Sequence, residues 1–101
     1  MNKKVQKLAF VLLLFFIAGT IAVFALSREE YNDYALRGWR SGYNYASQNP
    51  DAKVAPKDNT APVNTAYRNA GVSISSSADR EKRGAIYEGF VAGFWAQRNG
   101  N

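Results

Sequence analysis

Four carboxylates and a short run of serines are the residues of this chain whose type and spacing could do chemistry. Glu29, Glu30 and Asp33 fall within one helical turn and a half, and Glu88 stands alone in an apolar stretch. Paired carboxylates can act as acid and base across a scissile bond. Ser75, Ser76 and Ser77 offer hydroxyls, but a serine becomes a nucleophile only beside a base. The chain has no histidine and no cysteine. That removes the usual general base, the commonest metal ligand, thiol nucleophiles, disulfides, iron–sulfur sites and a lipoprotein-type cysteine. Glu29, Glu30 and Asp33 sit where a solvated helix start places acidic residues, and the serines suit a turn and a helix cap. For Glu88 the reading is an ion pair with Arg37 or Arg40 of another helix. The residue set therefore points to a non-enzyme that needs neither cofactor nor metal.

The more specific signal is a repeated glycine pattern. Gly38-Trp39-Arg40-Ser41-Gly42-Tyr43 and Gly89-Phe90-Val91-Ala92-Gly93-Phe94 share the form Gly-aromatic-x-small-Gly-aromatic. Glycine in a helix interior costs about 0.8–1 kcal/mol relative to alanine, so four of them require a reason. Glycines four apart line one side of a helix and admit a second backbone at close range, with the flanking aromatics packing around the crossing. Gly38, Trp39, Gly42, Tyr43, Gly89, Phe90, Gly93 and Phe94 are thus the expected helix-packing residues, acting either within the chain or between copies. The intramolecular arrangement is favoured because both helices carry the pattern and the segment joining them is long.

The elements that must position these residues follow from periodicity. Tyr31, Tyr34, Ala35, Gly38, Trp39, Gly42, Tyr43 and Ala46 recur at helical spacing, which predicts an amphipathic helix over 27–48. Ser27 followed by Glu30 fits a capping box that would begin this helix afresh; one helix continuing from the segment before it is the alternative. Residues 77–101 predict a second helix and a short tail, with Asp79 and Glu81 near its start, Arg98 near its end and Asn99-Gly100 as the stop. Its second apolar face, Tyr87, Val91 and Trp95, has no counterpart in a two-helix core and is the candidate exposed partner face. Between the helices, residues 49–76 hold Pro50, Pro56 and Pro62 among many Asn, Asp, Ser and Thr residues, which predicts a flexible, irregular connector. The module is expected to be a hairpin in which the second helix folds back on the first, glycine face to glycine face.

The two glycine-aromatic pairs, joined through a proline-containing connector, resemble the ribosome modulation factor type of small two-helix protein. That family is cytoplasmic, strongly basic and without a membrane span. This chain departs on all three points, and no functional residue is carried over from it.

Leu8 to Leu26 reads LAFVLLLFFIAGTIAVFAL, nineteen residues without a charge. A helix of that length rises roughly 28 Å, close to the ~30 Å of a bilayer's hydrocarbon core. Residues 1–7 form a basic tail, and Lys3, Lys4 and Lys7 orient the span with the N-terminus cytoplasmic and the C-terminal region periplasmic or otherwise extracytoplasmic. Setting those lysines aside leaves ten basic against eight acidic residues, so the basic balance is largely a topology signal. It gives no reason to expect a nucleic-acid partner. The whole chain reads as all-α: a single transmembrane signal-anchor over 8–26, in the inner (cell) membrane, followed by the glycine-packed two-helix module. Its expected partners are the lipid bilayer and either a membrane protein or further copies of itself. The expected role is that of an accessory subunit, regulator or inhibitor of a membrane complex. The alternative is a secreted binding protein released by cleavage near Ala25, where Val23-Phe24-Ala25 resembles a cleavage site.

Overall fold

The computed structural model describes residues 26–100. The basic tail with Lys3, Lys4 and Lys7, and all of the apolar run except Leu26, lie outside the described residues. Among the described residues all regular structure is helical: α1 (Arg28–Gln48), α2 (Ala61–Asn69), a single 3₁₀ turn (Ser77–Asp79) and α3 (Arg80–Arg98). None of these helices is long and apolar enough to cross a membrane.

α1 begins afresh at Ser27. That residue is extended (φ −69°, ψ 165°), its Oγ accepts from the Glu30 amide at 3.1 Å, and its own amide donates to Glu30 Oε1 at 3.2 Å. The capping box satisfies two amides that a helix start leaves open, so α1 does not run on from the preceding segment. The helix ends at Asn49, whose side-chain amide donates to the Tyr45 carbonyl at 2.8 Å, and Pro50 prevents its continuation.

The connector is not irregular throughout, and the module has three helices rather than two. Pro62 stands in the first turn of α2, where a missing amide costs nothing and a fixed φ favours the helix. The proline spacing thus marks a helix start at this position instead of excluding a helix. α2 ends in a Schellman turn: the Val72 amide donates to Tyr67 O at 2.9 Å and the Gly71 amide to Arg68 O at 3.0 Å, with Gly71 at φ +71°. The turn drives Val72 back onto Tyr67. Val63, Ala66, Tyr67 and Val72 are all buried and form one cluster with Ile86 and Phe90 of α3. Four well-spaced apolar residues are enough to order this segment because the α1–α3 pair offers a groove ready to receive them.

Two of the serines hold the 73–77 loop together. Ser73 Oγ accepts from the amides of Ser75 and Ser76, and Ser76 Oγ accepts from the Ala78 amide. Arg83 closes the loop by donating to the Ser73 and Ser76 carbonyls at 2.8 and 2.7 Å.

The largest departure from expectation concerns direction. α1 and α3 are parallel, not a hairpin. At one end the Leu26 amide donates to Glu81 near the start of α3; at the other, Arg98 near the end of α3 reaches the carbonyls of Ala46 and Asn49 at the end of α1. Short loops force antiparallel neighbours, but residues 49–79 are long enough to cross back along the ~32 Å of α1 before α3 begins.

Candidate functional site: the glycine seam and its two faces

The four glycines form the contact line between α1 and α3. A Cβ on Gly38 would overlap the Ile86 carbonyl oxygen and lie 2.7 Å from its carbon. Gly42 stands in the same relation to Phe90, at 2.7 Å. In the reverse direction a Cβ on Gly89 would meet the Ala35 carbonyl carbon at 2.7 Å, and one on Gly93 that of Trp39 at 2.8 Å. Each glycine therefore faces the carbonyl three residues before its counterpart in the other helix. That reciprocity is the mark of a local two-fold relation, which the parallel arrangement allows and the six-residue repeat encodes. With hydrogen in place of Cβ, the Cα–H bonds point at carbonyl oxygens, weak contacts that recur where helices approach closely.

Parallel packing brings two helix C-termini together, and with them two sets of carbonyls that lack intrahelical partners. Arg98 answers this arrangement. Its guanidinium donates to Ala46 O at 2.9 Å, Asn49 O at 2.6 Å and Ala52 O at 3.0 and 2.8 Å, and it lies 4.7 Å over the Phe94 ring. The sequence marked Arg98 only as a favourable charge for its own helix; here it ties the end of α3 to the end of α1 and to the connector.

The aromatics of the repeat divide between two faces of the seam. Phe90 and Phe94 are buried, and Tyr45 tilts against both, with centroids at 5.9 and 6.3 Å. On this side α2 closes the core. The Tyr67 hydroxyl donates to Asp58 at 2.7 Å, and burial, reinforced by the Asp58 carboxylate, pushes its pKa well above the ordinary tyrosine value. On the other side Trp39 stacks on Tyr43 at 5.2 Å and 19°, and Tyr31 and Trp39 pack with Ala92 around buried Ala35. Among the described residues no third helix covers that side.

The proposed partner face is changed by the structure. Tyr87 is not exposed: it packs against the α2 cluster, and its hydroxyl donates to the Pro56 carbonyl at 3.2 Å. Val91 is half-buried. The connector occupies part of the space that a two-helix reading left open. Trp95, at 41% exposure, remains accessible and sits edge-on to Phe94 at 5.1 Å. Leu36, equally exposed, was missed because a single apolar residue among Asp33, Arg37 and Arg40 gives no pattern.

Glu88 makes no ion pair with Arg37 or Arg40. Arg37 pairs along its own helix with Asp33 at 3.0 Å. The Glu88 carboxylate instead lies near the Tyr31 phenol, whose pKa is raised first by burial and second by that charge. The register sets Glu88 level with Arg37, but Arg37 and Arg40 are exposed, turned off the seam, whereas Tyr31 packs beside Ala35 at the contact with α3.

No protein-family model, curated protein or solved structure matches the chain. Among the described residues no group of three or more His, Cys, Asp and Glu side chains could hold a metal ion.

Proposed function

We propose that the chain is a membrane-anchored interaction protein, with the helical module presented on the extracytoplasmic side by a span at residues 8–26. The observation that carries this reading is the junction at Ser27. An uncharged run of nineteen residues, preceded by three lysines, ends one residue before a capped helix begins. A module that starts with its own cap immediately after the run is held close to the bilayer without depending on it for folding. Because the glycine seam is used within the chain, a partner would meet Leu36, Trp39, Tyr43 and Trp95 on the side that α2 leaves open. Trp and Tyr are enriched among the few residues that carry most of the energy of protein interfaces.

One observation favours the secreted alternative. The Leu26 amide lies 3.4 Å from a Glu81 carboxylate oxygen. Cleavage between Ala25 and Leu26 would turn that nitrogen into an α-ammonium and the contact into a charge-assisted one.

Intact mass of the protein extracted from native membranes separates the two readings. Retention of Met1, resistance to alkaline extraction and digestion of residues 27–101 by externally added protease support the anchor. A product starting at Leu26 in the soluble fraction overturns it in favour of secretion. Photo-crosslinking from position 95 in the same membranes then reports the partner.

A further inference from the structure

On the α2 side, beyond the aromatic core, a cleft of about 360 Å³ opens between the second half of α1 and α2. Its rim is built from matched helical stripes. Ser41, Asn44 and Gln48 line it from α1, and Thr65 and Asn69 from α2. Tyr45, with Phe90 behind it, contributes an aromatic wall. Two properties define the chemistry of this cleft. No charged residue lines it, in a chain that is 21% charged. None of the five rim side chains hydrogen-bonds to any other described residue, so all their amide and hydroxyl groups are uncommitted.

We propose that this cleft is a binding site for a short stretch of neutral carbohydrate. A phosphate, carboxylate or ammonium group would find no countercharge in the lining and so gain nothing there that water does not already give it. A wholly apolar ligand would strip water from five polar side chains and return no hydrogen bonds. What remains is a neutral ligand that has donors and acceptors around its edge and an apolar face. A pyranose has both. Its hydroxyls suit side-chain amides, each of which offers a donor and an acceptor at one site, and its C–H face suits the Tyr45 ring. Tyr45 is held for this by its contacts with Phe90 and Phe94. The volume lies at the small end of the ~300–1,000 Å³ range of ligand sites, which limits the occupant to a short oligosaccharide segment.

The inference does not depend on how the chain is anchored, and its test uses the full chain in a zwitterionic micelle that contains no sugar headgroup. Chitotetraose and maltotetraose are titrated while side-chain amide resonances are followed by NMR. The expected result is saturable shifts of the Asn44, Gln48 and Asn69 amides with at least one of the two sugars. Replacing Asn44 and Asn69 together by leucine should weaken binding at least tenfold. Both residues are exposed, so the thermal midpoint should stay close to that of the parent. Tyr45→Phe, which keeps the ring, should retain binding. Absence of saturable shifts with both sugars overturns the proposal. So does unchanged affinity in the doubly substituted protein, or equal binding of a neutral acetylated tetrapeptide at the same amides.

Discussion

Placing one methyl group at two positions of α3 should move stability in opposite directions. Gly84 and Gly89 both lie in the interior of α3, but a Cβ on Gly84 has nothing within 4 Å, whereas one on Gly89 overlaps the Ala35 carbonyl and lies 2.9 Å from the Trp39 amide nitrogen. At Gly84 only helix propensity acts, so alanine should stabilise by about 0.8–1 kcal/mol. At Gly89 the same gain is opposed by backbone that cannot turn aside. The Ala35 carbonyl oxygen lies closer still than its carbon at 2.7 Å, so reaching an ordinary contact near 3.4 Å requires the helices to part by at least ~0.7 Å. A gap of that size forfeits roughly a quarter to a half of each dispersion contact along the seam. Overpacking of this kind costs about 1–3 kcal/mol. Weakening the Cα–H···O contacts, worth about 0.5–1 kcal/mol each, adds about 1–2 kcal/mol over the four glycines. Net destabilisation by Gly89→Ala is then about 1–4 kcal/mol. For a module of this size each kcal/mol shifts Tm by roughly 4–8 °C. Thermal unfolding followed by circular dichroism should show Gly84→Ala roughly 3–8 °C above the parent and Gly89→Ala roughly 4–30 °C below it. A Gly89→Ala midpoint at or above that of the parent would refute the close parallel seam, whatever Gly84→Ala does.

Two further outcomes follow from the same structure. Arg98→Ala should lower stability by about 2–3 kcal/mol, because carbonyls at the end of α1 and in the connector lose a charged donor; Arg98→Lys should recover only part of it, since one ammonium cannot span three carbonyls. Equal midpoints for Arg98→Ala and the parent in thermal unfolding would contradict this. Stability should also fall as pH rises above about 10. Tyr31 and Tyr67 keep their protons in the folded state beyond the pH at which an unfolded tyrosine releases its own, so their contribution is whole below the unfolded pKa and is lost progressively above it. Tyr67→Phe should flatten the alkaline decline in a series of urea unfolding curves, and an unaltered slope would count against the burial of that phenol.

Ser27 and Glu30 announced the start of α1 because a capping box is a local device, complete within four residues. The four glycines announced a close helix contact because nothing else offsets their cost in a helix interior. α2 was hidden because a proline in the first turn of a helix reads, from composition alone, like a proline that breaks one. Tyr87 was assigned to a free face because the loop that covers it is polar, and only the Pro56 carbonyl shows why it comes near.

By itself the sequence determined two long helices, the capped start of the first and the identity of the glycines that join them. These are properties of period, caps and local propensity, all of which act over a few residues. Only the tertiary structure decided that the helices run parallel. Glycines four apart permit close approach in either direction, and the choice falls to contacts between residues far apart in the chain. The Schellman turn that folds Val72 onto Tyr67 makes one such contribution, and the reach of Arg98 to Ala46 and Asn49 makes another. Those contacts exist only once the connector has crossed back. The same crossing covers Tyr87, leaves Trp39 and Trp95 accessible, and opens the uncharged cleft beside Tyr45.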